Sequence, residues 1–204
     1  MKVFTFKPQN FSSNSYLLYS NNIGVVIDPS IPYKECVAQN KSLENINVKF
    51  LILTHAHFDH FLCIDEWIEK TNAQVMIGYR DADALSDPFL NCYKLFLNSD
   101  NSYNGEFITL RDGDTISLDD ESIKILETPG HTTGSISILT DGLLFVGDLI
   151  FSGGGVGRTD LPGGNYSELL SSIKRVINLP NDITIYPGHN NPTSTNEIKN
   201  LYKG

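Results

Sequence analysis

The five histidines of this 204-residue chain all fall in three short segments. Three stand in Thr54-His55-Ala56-His57-Phe58-Asp59-His60, one in Pro129-Gly130-His131-Thr132 and one in Pro187-Gly188-His189-Asn190. A neutral imidazole offers a nitrogen lone pair near pH 7 and an aspartate adds a charged oxygen, so the clustering reads as transition-metal ligation. His55 and His57 lie two apart on an extended segment and can face one way, while Asp59 and His60 open the next helix and can face a second centre. One ion would be cramped by all four. Taken singly, His131 or His189 is an ordinary solvated loop histidine. The repeat of Pro-Gly-His after two separate apolar runs brings both into the set, because a tight backbone there fixes where the imidazole points. Asp148, after the apolar run Leu143 to Gly147, joins them, whereas Asp28, after Gly24 to Ile27, reads as a turn acid.

Positioning these groups requires rigid elements. Short apolar runs closed by turn signals read as strands: Ser15 to Tyr19, Gly24 to Ile27, Lys49 to Leu53, Gln74 to Ile77, Ile123 to Leu126, Ile136 to Leu139, Leu143 to Val146 and Ile183 to Tyr186. The N-terminal Met1 to Lys7 alternates like a further strand. The clearest helix spans Tyr166 to Ile177, with Asn165 as cap, Glu168 completing a capping box, and Leu169, Leu170, Ile173, Val176 and Ile177 on one apolar face. Shorter helices are expected over Pro32 to Gln39, Phe61 to Lys70 and Asn196 to Tyr202. Strands in both halves with helices between them favour a layered sandwich, helices covering two packed sheets. His55, His131, Asp148 and His189 each follow the end of an apolar run, so the strand ends are expected to converge on one edge.

Bulk properties narrow the function. With 40% hydrophobic residues the chain suffices for a single domain, residues 1–204. A net charge of -9 argues against nucleic acid as a partner. No secretory signal or run of ~20 apolar residues occurs, which gives a cytoplasmic, non-membrane expectation. Cys36, Cys63 and Cys92 are odd in number and scattered, so reduced thiols are expected rather than a disulfide framework.

The ordered set His-x-His-x-Asp-His, Pro-Gly-His-Thr, Gly-Asp after an apolar strand, and a late Gly-His resembles the metallo-beta-lactamase fold superfamily. Within it, Gly157-Arg158-Thr159-Asp160-Leu161-Pro162-Gly163-Gly164 is similar to the glyoxalase II branch, the hydroxyacylglutathione hydrolases. The resemblance implies a four-layer αβ/βα sandwich with the site at one edge. It also implies one metal held by His55, His57 and His131, a second by Asp59, His60 and His189, and Asp148 bridging them. The cofactor it implies is a pair of divalent ions, zinc first, with iron or manganese open on this ligand set. The activity implied is hydrolysis of a small acyl thioester by a metal-bridging hydroxide, with Asp59 as the catalytic group that orients the nucleophile or takes its proton. A thiol with a pKa near ~8.5 leaves as an anion without an acid, whereas an amide nitrogen would need a proton.

Two residues bear on the substrate. Arg158 can clamp a substrate carboxylate or pair with Asp160 two residues on. Asn191 stands where the glutathione thioesterases carry a tyrosine two positions after the final histidine, and the chain ends about fifteen residues after His189, with Lys199 and Lys203 as its last cations. Between Asp87 and Asn104, Phe89, Tyr93 and Phe96 lie at helical spacing, which suits packing against the domain or a wall over the pocket. The Gly-Arg-Thr-Asp segment also resembles persulfide dioxygenases, which would use a single iron on His55, His131 and Asp148. That oxidoreductase, or a hydrolase of another ester or lactone, is the alternative.

Overall fold

A computed structural model describes residues 1–9 and 11–201. Six strands form a first sheet in chain order: β1 (Lys2–Phe6), β2 (Ser15–Ser20), β3 (Ile23–Ile27), β4 (Asn47–Leu53), β5 (Gln74–Gly78) and β6 (Phe107–Leu110). The first three are antiparallel and β3 to β6 run parallel. Parallel neighbours need crossovers, supplied by α1 (Tyr33–Gln39), by α2 (Phe58–Phe61) with α3 (Ile64–Thr71), and by α4 (Tyr93–Leu97). The second sheet places β7 (Thr115–Leu118), β8 (Glu121–Glu127), β9 (Ile136–Thr140), β10 (Leu143–Gly147), β11 (Thr184–Pro187) and β12 (Thr193–Ser194) side by side. Only β10 and β11 are parallel there, joined through α5 (Tyr166–Ile177), and α6 (Thr195–Leu201) follows β12.

Side-chain alternation converts these sheets into layers. Along β2 to β4, Leu17, Val26, Leu51 and Leu53 turn toward the helices and pack with Phe61, Ile64 and Trp67, while Leu18, Val25, Ile27 and Ile52 turn the other way. That second set meets Ile123, Ile125, Ile136, Ile138 and Phe145 of the opposite sheet. The outer face of the second sheet, Leu144, Val146 and Ile185, is covered by Leu169, Ile173 and Val176 of α5 and Ile198 of α6. Burying those three α5 side chains contributes roughly 5 to 9 kcal/mol of gross apolar transfer. Three apolar layers between four structural ones make the αβ/βα sandwich, as expected.

Local departures have physical reasons. Helix α5 has the expected limits, but its cap is half a box: Asn165 Oδ1 accepts from the amides of Ser167 and Glu168, while the Asn165 amide donates to Gly130 O at 2.7 Å and leaves Glu168 nothing to receive. Leu170 stays 41% exposed, off the buried face. The helix expected over Phe61 to Lys70 is broken at Cys63, whose backbone is not helical and whose amide donates to Pro29 O. Strands β6 and β7 carry little hydrophobic signal in the sequence because they are short edge strands with three and two exposed residues. Tyr202 and Lys203 lie outside the described residues. No helix among the described residues is long and apolar enough to cross a membrane.

Candidate metal centre

The candidate groups sit just beyond the C-terminal ends of five strands. Asp28 follows β3, His55 and His57 follow β4 with Asp59 and His60 on α2, His131 follows β8, Asp148 follows β10, and His189 follows β11. Backbone hydrogen bonds fasten these loops to each other: Ile136 N donates to Thr54 O at 2.9 Å, Ser13 N to Asp59 O at 3.0 Å, Asn14 N to Gly188 O at 2.7 Å and Gly188 N to Gly147 O at 2.8 Å. The Pro-Gly-His turns are as tight as the sequence suggested. Gly130 has φ +133°, and a Cβ there would stand 2.2 Å from the Leu169 amide nitrogen. A Cβ on Gly188 would meet Asp148 Oδ1 at 2.4 Å and His60 Cε1 at 2.6 Å.

Ligand-type atoms converge in three groups, each within 4.8 Å internally: two separate triads, His55, His57 and His131, and Asp59, His60 and His189, and a group of His55, His60 and Asp148 that spans them. Asp148 lies between the two triads. Its Oδ1 is 3.5 Å from His60 Nε2, and its Oδ2 is 3.7 Å from both His131 Nε2 and His189 Nε2. His189 Nε2 is 3.2 Å from Asp59 Oδ2.

The outward nitrogens are tied down, and this fixes the tautomers. His60 Nδ1 donates to Asp28 Oδ2 at 2.8 Å, His131 Nδ1 to the Arg158 carbonyl at 2.7 Å, and His55 Nδ1 stands 3.1 Å from Thr54 Oγ1, whose own hydrogen goes to Asp28 Oδ2. Each of these rings therefore turns an Nε2 lone pair inward, the arrangement metal-binding histidines adopt. His55 Nε2, His60 Nε2 and Asp148 Oδ1 are buried without a hydrogen-bond partner. Buried polar atoms are normally satisfied, so these orphans, with the carboxylates of Asp28, Asp59 and Asp148 enclosed among imidazoles, fit cations at this position. His57 Nδ1 points at His131 Nε2, 2.9 Å away.

Electrostatics agrees with that fit. Burial, then repulsion from neighbouring imidazoles, holds His55 well below its ordinary range and brings His57 down to about 3, so both stay neutral. Burial works to raise the carboxyls of Asp59 and Asp148, but the adjacent histidines outweigh it and hold both low. For His60, burial lowers the imidazole and Asp28, Asp59 and Asp148 overcome it, raising it, so that a cation at Nε2 would take the place of a proton there. The enclosed carboxylates thus draw positive charge into the centre.

Two acids carry more than the sequence disclosed. Asp28 is not a solvated turn acid: it is buried at φ +52°, and it receives the Thr54 amide and hydroxyl, both at 2.8 Å, besides His60. The signal was present, since Asp28 ends an apolar strand as Asp148 does. Asp81, in the 3-10 segment Tyr79–Ser86, gave no such signal. Its buried carboxylate receives Ala56 N at 3.0 Å, Thr132 Oγ1 at 2.7 Å and Gly134 N at 2.6 Å, clamping the His55 to His57 loop to the His131 loop.

A cavity of about 460 Å³ opens onto the centre, with His57, Asp59, His131 and Asp148 at its floor. Arg158 lies on its wall, paired with Asp160 through Nε at 2.7 Å and Nη2 at 2.6 Å, so the ion-pair reading holds for its side chain while its carbonyl orients His131. Asn191 is exposed and does not line this cavity. Tyr93 packs inward against Phe58 and Phe61, whereas Phe96 is on the cavity wall and Phe89 is exposed. Cys36, Cys63 and Cys92 are free thiols.

Comparison with known proteins fits this geometry. A family model described as the metallo-beta-lactamase superfamily matches residues 9–189. A probable metallo-hydrolase of Streptococcus pyogenes is 30% identical over 98% of this chain and 88% of its own length. The probable metallo-hydrolase YqgX of Bacillus subtilis is 32% identical over 87% and 84%. The hydroxyacylglutathione hydrolase GloC of Haemophilus influenzae is 29% identical over 93% and 91%. Among solved structures, BLEG-1 B3 metallo-beta-lactamase superposes with a TM-score of 0.88 at 26% identity, covering 98% of this chain and 97% of that one. TTHA1623 in a di-iron-bound form gives 0.82 at 26% identity, covering 98% of each. With a matching family model over nearly its whole length, the chain belongs to the metallo-beta-lactamase superfamily.

Proposed function

We propose that this chain is a binuclear metallo-hydrolase that cleaves a small acyl thioester, hydroxyacylglutathione or a related compound. The observation that supports the reading is the pair of triads with Asp148 between them, of which His57, Asp59, His131 and Asp148 line a ligand-sized cavity. On this reading His55, His57 and His131 hold one divalent ion, Asp59, His60 and His189 hold the other, and Asp148 reaches both. Two such ions, zinc first with iron or manganese as alternatives, would supply Lewis acidity toward an acyl carbonyl and a water acidified from 15.7 toward ~7.

The chain's own residues do the rest. Asp59 lines the cavity as an ionised carboxylate, and it would orient the attacking water or take its proton. His60, His55 and His131 keep fixed tautomers through Asp28, Thr54 and the Arg158 carbonyl. The leaving thiolate needs no proton, which suits a cavity whose acidic groups belong to the candidate ligand set apart from Cys92, a thiol that burial pushes up to about 11. The hydroxyacylglutathione hydrolase among the relatives supports the thioester assignment, and the di-iron neighbour keeps iron in view. Free thiols and a net charge of -9 support a cytoplasmic enzyme acting on a small molecule, with no nucleic acid or membrane partner.

Elemental analysis combined with assay on S-D-lactoylglutathione and simpler thioesters tests the proposal. Two ions per chain with thioester turnover is the expected result, and Asp59→Asn should cut turnover steeply while the fold is retained. One iron per chain with oxygen uptake on a glutathione persulfide would instead make it a dioxygenase, and metal without turnover across thioesters, lactones and lactams would make it a binding module.

A further inference from the structure

The wall above the metal centre is strongly apolar, and its one cation is already engaged. Phe11, Phe58, Phe96, Leu97, Phe151 and Leu161 line it, drawn from five separate segments of chain. Phe11, Phe58 and Phe96 form a continuous aromatic strip, with ring centroids 6.2 Å apart for the first pair and 6.0 Å for the second. At the mouth Phe11 is 61% exposed, Phe96 50% and Leu97 46%. Clustered exposed apolar side chains lose by contact with water what a bound apolar group would restore. Arg158 lies with its guanidinium carbon 5.7 Å over the Phe96 ring, but its Nε and Nη2 are both committed to Asp160. The other charges on the wall, Asp59 and Asp148, are negative. Among the described lining residues a thiol that brings two carboxylates, as glutathione does, meets no uncommitted bidentate cation, whereas an alkyl or aryl group meets six matching side chains.

We propose that this cavity binds the apolar substituent of the substrate, an alkyl or aryl group of medium size carrying no more than one carboxylate, and that Phe96 and Leu97 set that preference. The inference rests on the thioester reading for the bond that is cleaved, and it is independent of that reading for what the wall binds. Substituents on the acyl side and on the thiol side share this chemistry, so the test varies each in turn.

The metal-loaded protein is assayed on N-acetylcysteamine thioesters of acetyl, butyryl, hexanoyl and phenylacetyl groups, then on acetyl thioesters of benzyl mercaptan and of glutathione. Calorimetric titration with acetate, hexanoate and phenylacetate runs in parallel. Each buried methylene should raise kcat/KM or affinity about fourfold, so hexanoyl or benzyl substituents should exceed their small or glutathione counterparts by more than about fiftyfold. Phe96→Ala and Leu97→Asp, both at half-exposed positions, should each lower that ratio at least tenfold. If thioesters are cleaved but the series is flat, or lactoylglutathione is preferred, the apolar-substituent inference is overturned while the thioesterase reading stands. If no thioester is cleaved but hexanoate still binds far more tightly than acetate, the thioesterase reading falls and the cavity assignment is upheld. Equal binding of the three carboxylates overturns the cavity assignment whatever the turnover.

Discussion

Asp28→Asn isolates what a single buried carboxylate does for this centre. Asp28 Oδ1 accepts the Thr54 amide, and Oδ2 accepts both the Thr54 hydroxyl and His60 Nδ1, all at 2.8 Å. Asparagine keeps the shape and one acceptor. Its oxygen is retained by the Thr54 amide, which has no alternative polarity, so the new NH2 faces Thr54 Oγ1 and His60 Nδ1. The hydroxyl can turn and accept, but Nδ1 must then give up its hydrogen, moving it to Nε2, the atom now turned toward Asp148 at 3.5 Å. A protonated Nε2 has no lone pair for a cation. Losing one charge-assisted hydrogen bond is worth about 1.5 to 3 kcal/mol, in line with the 10- to 100-fold loss of affinity typical when a histidine ligand's outer partner is changed. The effect should be largest at the His60 triad, which loses a direct bond to the carboxylate, whereas His55 is reached only through the Thr54 hydroxyl. Wild type and variant are equilibrated with zinc at graded, chelator-buffered free concentrations and the ions per chain are counted by elemental analysis. The first ion should load at the wild-type concentration and the second at 10- to 100-fold more zinc, with the thermal midpoint lowered by about 3 to 12 °C. Unchanged loading of both ions, or a parallel loss of both, would refute the tautomer argument.

Other perturbations separate the remaining roles. Asp148→Ala should strip both ions, whereas His57→Ala should deplete mainly the first; equal small losses by elemental analysis would remove the bridge. Asp81→Ala deletes three hydrogen bonds between two ligand-bearing loops, at about 1 kcal/mol each, and for a chain of this size a midpoint lower by about 6 to 12 °C is expected in calorimetry. Chelation should also lower the midpoint: an ion present at a thousandfold excess over its Kd stabilises by about 4 kcal/mol, so a chelated sample melting within a degree of the loaded one would argue against ions at this site.

The layers were legible because apolar alternation is decided by burial, and the central strands are buried on both faces. Strands such as β3, β4 and β10 present long apolar runs for that reason, while β6 and β7 lie at sheet edges and carry too little hydrophobic contrast to stand out. The seven candidate ligands were legible through residue type and spacing. Their supports were less so. Asp28 looked like a turn because local sequence cannot show that β3 and β4 are parallel neighbours, which is what lays Thr54 and then His60 against it. Asp81 sits in an alternating Asp-Ala-Asp stretch with nothing to distinguish it from Asp83, and only the fold brings Ala56, Thr132 and Gly134 to its carboxylate. Backbone and hydroxyl partners leave no composition signature.

Division of labour between the sheets makes the centre sensitive to their packing. The first sheet supplies Asp28, His55 and His57 with Asp59 and His60 on its crossover helix, and the second supplies His131, Asp148 and His189. Neither half contains a complete triad, since His131 completes one and His189 the other. The distance between halves is set by the layer of Leu18, Val25, Ile27 and Ile52 against Ile123, Ile125, Ile138 and Phe145, all fully buried. Close-packed interiors transmit a misfit rather than absorb it, so the spacing of the candidate ligands is coupled to this core. On the proposed ligation the coupling would run both ways: cations joining carboxylates and imidazoles from opposite sheets would hold that core together, and their binding energy would become folding energy.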